Sequence, residues 1–223
     1  MQEAPFTDLS ATGSGRGPGA APGGPGADAV PPPAPGADAY PSLDLVNSTL
    51  SLPGGRHLDL LATPGAANRW LTAHGLAPVD AGVQETCAAM LRDLREQVRM
   101  LFAARASGQP APRPALAAVN GALARRPAAA QLRWDRERGP HREVPHPVTG
   151  VLEHALATLA DDAADLLTGP DAERLTACGS APCTRFLLRH GRRHWCSTRC
   201  GDRARAARAY ARRTRGQEAP TAD

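Results

Sequence analysis

The stretch CGSAPCTRFLLRHGRRHWCSTRC places four of the chain's five cysteines, Cys178, Cys183, Cys196 and Cys200, within 23 positions. The spacing is C-x4-C-x12-C-x3-C. Each close pair supplies two corners of a tetrahedron, with the intervening segment folding back as a hairpin to bring the pairs together. Residues 184–188 read as a strand, His190-Gly191 as a turn and His194-Trp195 as the return leg. From Ser197 onward Arg and Ala dominate as in a helix. Cys196 and Cys200 then stand one turn apart at a helix N-terminus, which favours thiolates. The reading is a structural Zn²⁺ held by the four sulfurs, a closed sphere that leaves no position for a catalytic water. Disulfides and four unrelated buried thiols are the alternatives. The first needs an oxidising compartment, and the second gives no reason for paired spacing. His190 or His194 replacing one sulfur is the other variant. Cys87 falls on the apolar face of a long helical pattern and reads as a small core residue.

Charge is distributed unevenly along the chain. Residues 178–215 contain eleven Arg and one acid, Asp202, a formal +10 within a 223-residue chain of net +4, so the remainder carries about −6. Such a segment repels itself and has few large apolar residues, so metal binding is expected to supply the stability that its small core cannot. On a helix starting near Ser197, Arg205, Arg208, Arg212 and Arg215 fall within an arc of about 80°. Ala204, Ala207 and Ala211 continue the side that carries Cys200. With Arg192, Arg193 and Arg203, these arginines are the candidate nucleic-acid contacts, because guanidinium rows without acids bind phosphates and release counterions. The competing reading is a solvated face on a chain whose 26 basic residues are all Arg.

Residues 1–40 are almost wholly Gly, Pro, Ala, Ser and Asp and read as a disordered arm, as does the tail 216–223. The arm lacks the basic start and unbroken apolar run of a secretory signal, and no later run approaches the ~20 apolar residues of a membrane span, so a cytoplasmic protein without membrane contact is expected. Between the arm and the cysteines the text is mainly helical. Residues 43–46 suit a short strand or a helix end. Thr63-Pro64 starts a helix that buries Trp70 and Leu71 and ends at Gly75. Asp80 is expected to open the clearest helix, with Arg92, Asp93, Arg95 and Glu96 on its far side. A weaker helix over 115–125 rests on Leu116, Val119 and Leu123. Leu132 and Trp134 alternate as in a half-buried strand, paired with residues 142–144, and a third long helix runs over 148–166.

Two resemblances rest on these residues. Cys200-Gly201-Asp202-Arg203, preceded by RRHWCSTR, resembles the CGNR zinc finger, with Asp202 where the family tetrapeptide has Asn; an ionised Asp accepts hydrogen bonds and donates none. Upstream, Leu-Asp-x-Val-Asn at 43–47, Asp59-Leu60-Leu61 and Trp70-Leu71 are similar to the start of an ABATE-type domain. Together they imply a stress-induced transcription regulator. The expected fold is mainly α with a small β element, an ABATE-type helical domain over 41–172 and a treble-clef-like zinc-bound β-hairpin/helix module over 173–215. The expected partner is nucleic acid, DNA before RNA, with a homodimer and a small-molecule ligand of the helical domain as further expectations. A zinc-stabilised protein adaptor is the alternative. An enzyme using Asp44, Asn47, His57, Asp59 or His74 comes third, since no spacing among them matches a catalytic pattern, and His141, His146 and His154 suggest no joint site.

Overall fold

A computed structural model of the chain describes residues 31–51, 55–125, 131–143 and 150–217. Long apolar stripes at helical spacing build its body. In α3 (Glu85–Ser107), Leu91, Leu94, Val98, Leu101 and Phe102 point inward; in α5 (Val151–Thr168), Leu156, Leu159, Ala163 and Leu166 do. Each such buried large side chain stabilises the fold by about 1.5–3 kcal/mol relative to exposure. Between these two, α4 (Arg113–Leu123) packs on both through Ala115, Val119 and Ala122, small residues at i, i+4 and i+7. Leu116, expected in that stripe, is exposed. It lies one position off the Ala/Val row, and the small row admits the closer helix approach.

Residues 43–46 form a helix, not a strand: α1 (Pro41–Val46) begins on Pro41, and the Ser42 N–H donates to the Asp162 carboxylate of α5 at 2.8 Å. The cap comes from another helix because the local N-cap, Tyr40, offers none. α2 (Pro64–Ala73) starts as expected, Thr63 Oγ1 accepting from the Ala66 N–H at 3.2 Å, with Trp70 and Leu71 buried. α3 starts at Glu85, five residues later than the sequence reading, because Gly82 adopts φ +63°, a left-handed conformation that interrupts a helix.

Arg95, expected on the outer side of α3, is 5% exposed. Its guanidinium donates to both Asp59 carboxylate oxygens, at 2.6 and 2.9 Å, and to Ser48 Oγ at 3.1 Å. Asp59 ends β2 (His57–Asp59), which pairs antiparallel with β1 (Thr49–Ser51). One ion pair thus fastens that small sheet to α3. Position 95 lies four after Leu91 and three before Val98, so it shares their stripe.

The hairpin of β3 (Gln131–Asp135) and β4 (Gly139–Glu143) forms as expected, but Leu132 and Trp134 are 73% and 78% exposed, not half-buried. The alternation specifies a two-faced strand; the apolar face receives no covering element among the described residues. Residues 144–149, including Val144, His146 and Val148, lie outside the described residues, and α5 opens at Val151 after Gly150. No helix among the described residues is long and apolar enough to cross a membrane.

The end of the expected arm is part of the fold. Among residues 31–40, Ala34 and Ala37 are buried, the Leu188 N–H donates to Pro35 O at 2.8 Å, and Tyr40 Oη donates to Asp171 at 3.1 Å. Gly36 has φ +93°, and a Cβ there would lie 2.5 Å from Leu188 Cγ. Alanine and proline carry little hydrophobic signal, yet Ala34 packs with Leu187 and the cysteines, and the Pro32 and Pro35 carbonyls accept hydrogen bonds from Arg185 and Leu188.

Candidate metal centre and its arginine face

After a 3-10 turn (Pro170–Arg174), β5 (Leu175–Ala177) pairs antiparallel with β6 (Phe186–Leu188), Leu175 opposite Leu188 and Ala177 opposite Phe186. The turn joining the two strands carries Cys178 and Cys183. The hairpin therefore lies around the first cysteine pair, not between the two pairs as expected from the sequence. β6 takes Leu175, upstream of Cys178, as its neighbour because that side chain shares the core with Leu188. The return leg is present without being a strand: Gly191 turns the chain, and His194 O accepts from the Gly179 N–H at 2.9 Å.

All three residues of β6 are buried, and its period-2 alternation serves two cores. Phe186 and Leu188 join the helical core, with Phe186 edge-on to Phe102; Leu187 packs with Ala34, Cys178, Cys196 and Cys200. Asn47 fixes the junction: its Nδ2 donates to Phe186 O at 2.9 Å and its Oδ1 accepts from the Phe186 N–H at 2.8 Å. Arg99 of α3 donates to Thr184 O at 3.1 Å and to Val46 O.

The four sulfurs lie within 4.8 Å of one another. Cys183–Cys196 and Cys196–Cys200 are each 3.6 Å apart, close to the roughly 3.8 Å edge of a tetrahedron with ~2.3 Å metal–sulfur bonds. Cys200 lies in the first turn of α6 (Thr198–Gln217), where Ser197 Oγ accepts its N–H at 3.3 Å, and the Cys196 N–H donates to Cys178 Sγ at 3.5 Å. Hydrogen bonds from the Cys183 and Cys196 thiols hold Cys178 far below the usual thiol range. The same contacts with Cys178 push Cys183 and Cys196 up. A cation coordinated by the four sulfurs would deprotonate each of them.

The surroundings fit an ion of charge +2. Arg185 is buried: Nη1 lies 3.9 Å from Cys196 Sγ, Nη2 donates to Pro32 O at 2.9 Å, and Nε has no hydrogen-bond partner. Half-buried Arg203 donates to Ser180 Oγ and to Cys200 Sγ, both at 3.1 Å. No carboxylate among the described residues pairs with either guanidinium. A buried charge needs an opposite charge, and four thiolates around a divalent ion sum to −2, which these two guanidiniums balance. His190 and His194 are exposed and outside the sulfur group; Cys87 is half-buried on α3.

The remaining arginines face outward. Arg192, Arg193, Arg205, Arg208 and Arg212 are exposed, and the Arg215 side chain lies outside the described residues. Arg193 Nε donates to Trp195 O, Arg208 Nε to Ala204 O, and Arg205 pairs with Asp202, the acid of the tetrapeptide. Of the alanines expected to face the module, Ala204 is half-buried while Ala207 and Ala211 are exposed. Only the opening turns of α6 pack on the cysteine module.

Four of the polar residues singled out upstream, Asp44, Asn47, Asp59 and His74, are structural pins. Asp44 accepts from Trp70 Nε1 at 3.2 Å and lies 3.2 Å from His74 Nε2; Asn47 and Asp59 make the bonds described above, and His57 is exposed in β2. In the helical region a cavity of about 610 Å³ opens beside α3, α4 and α5, lined in part by Met90, Asp93, Gln97, Ala118 and Arg125.

Comparison with known families agrees with this layout. The ABATE model, described as "Putative stress-induced transcription regulator", matches residues 39–170, and the CGNR zinc finger model matches residues 174–213. No curated protein matches the chain. A family model covering more than half the chain, joined to a metal-competent four-cysteine module at its C-terminal end, places the protein: it belongs to the ABATE family and carries a CGNR zinc finger.

Proposed function

We propose that the chain is a nucleic-acid-binding regulator, acting on DNA, in which a structural Zn²⁺ on Cys178, Cys183, Cys196 and Cys200 orders the arginine-bearing helix. The sulfur donor set and the tetrahedral edge lengths suit zinc, which would close its sphere with these four ligands and serve no hydrolytic role. The observation that carries the reading is the exposed, acid-poor face of α6 and the preceding turn, where Arg192, Arg193, Arg208 and Arg212 have no carboxylate partner among the described residues. Arg205 contributes less, because Asp202 neutralises it.

Binding by phosphate contact makes affinity fall steeply with salt, the logarithmic slope being about −0.9 per phosphate neutralised on duplex DNA. An electrophoretic shift across a salt series should show such a slope, and Arg208→Ala and Arg212→Ala should each reduce it by about one unit. Binding independent of salt, or no shift of any nucleic acid, contradicts the proposal. The same exposed charge would suit an acidic protein partner. Capture that survives nuclease treatment, without a nucleic-acid shift, would identify that reading.

A further inference from the structure

Trp195 is half-buried on the finger surface and borders two clefts. The larger, about 450 Å³, is walled by His194, Trp195, Arg203, Ala204, Ala207 and Arg208 together with residues 179–181. The smaller, about 140 Å³, includes Arg193, Trp195, Ser197, Thr198 and Arg205. The guanidinium carbons of Arg205 and Arg208 lie 5.8 and 5.6 Å from the indole centroid. Neither cleft has a carboxylate in its lining, and nearby Asp202 pairs with Arg205.

A purely electrostatic grip on a duplex needs only the guanidiniums. It gives no role to an aromatic wall beside a cleft kept open by two alanines of α6. Cations beside a partly exposed aromatic ring that borders a cleft are the chemistry that holds unpaired bases: the ring stacks on the base and the arginines take the flanking phosphates. In a duplex the bases are already stacked on one another and must be extruded before entering such a cleft. We infer that the Trp195 cleft takes an unpaired base, with Arg193 and Arg208 on its flanking phosphates, so that the preferred partner is a single-stranded stretch of nucleic acid. This rests on the nucleic-acid reading proposed above and names the form that the finger recognises.

The test titrates the full-length chain, wild type and variant, with single-stranded oligothymidine, a duplex of equal length and inorganic polyphosphate at one ionic strength. Ala207→Leu is the deciding variant: position 207 is exposed, leucine suits a helix, and the longer side chain fills the cleft without changing charge. The wild type should bind the single strand more tightly than the duplex. Ala207→Leu and Trp195→Leu should each weaken single-strand binding about 5- to 150-fold and leave polyphosphate binding unchanged. Bound metal reports whether Trp195→Leu still folds. Unchanged single-strand affinity in Ala207→Leu, an equal loss for polyphosphate, or a wild-type preference for duplex overturns the stacking cleft and leaves the charged surface standing. A wild-type chain that binds neither nucleic acid removes the reading on which it rests.

Discussion

Asn47 spends both ends of its amide on one residue, Phe186, and both bonds are buried. Asn47→Ala strands a buried donor and a buried acceptor of the Phe186 backbone, so chemical denaturation should show a loss of about 2–4 kcal/mol. His74 is set differently. Its Nδ1–H donates to Trp70 O at 2.8 Å while Nε2 faces the Asp44 carboxylate, so both ring nitrogens meet acceptors and the doubly protonated ring is favoured. Burial lowers its pKa, but the hydrogen bonds to Asp44 and Trp70 outweigh this and hold it above the ordinary 6.5. A raised folded-state pKa gives stability that is full below the unfolded value and is lost as pH rises through the folded one. Thermal denaturation should therefore show the difference between the wild type and His74→Gln shrinking as pH rises above 6.5. A difference that grows with pH contradicts this assignment. In the Leu-Asp-x-Val-Asn motif, then, Asp44 and Asn47 are pins that orient α1 toward α2 and the finger.

At the scale of elements, the segment 31–40 acts as a strap: Pro35 accepts the Leu188 N–H from β6, Pro32 accepts from Arg185, and Ala34, 2% exposed, fills the space beside Leu187 and the cysteines. Gly36→Val combines an unfavourable positive φ with a collision against Leu188. It should free the strap, seen as faster proteolytic cleavage within residues 31–40 while α3 and α5 resist; unchanged cleavage would show that the strap tolerates a side chain there. The strap is illegible in the sequence because Gly, Pro and Ala composition reads as disorder, and its place depends on contacts with distant residues, Arg185, Leu187 and Leu188. The finger's four-cysteine, metal-competent cluster is legible because coordination geometry restricts spacing. The hairpin's place is not, because strand pairing depends on Leu175, which lies outside the cysteine pattern. The long helices follow from periodicity, while Arg95 is hidden in its stripe: a charged residue reads as exposed until its partner, Asp59 on a separate strand, is known.

At the scale of the molecule, β6 belongs to both cores, so the finger is built onto the helical body rather than attached by a linker. Asn47 and Arg99 hold β6 and the residue leading into it by direct hydrogen bonds from the helical body. The segment from Arg189 through α6 is tied down chiefly through the sulfur cluster and the Trp195 contacts, with a few hydrogen bonds beside them: Arg189 N–H to Arg174 O, Gly179 N–H to His194 O and Arg203 to Ser180 Oγ. Loss of the proposed metal should accordingly release the arginine face and spare the helices, abolishing the proposed nucleic-acid binding without unfolding the body. The most direct test is native mass spectrometry of the full-length chain purified under reducing conditions, followed by chelation with amide exchange recorded in both states. The account predicts one zinc per chain, its loss in Cys196→Ser and retention in Cys87→Ser, and faster exchange on chelation confined to residues 189–217. A chain that folds with no metal, or one whose exchange over α6 ignores the chelator, contradicts it.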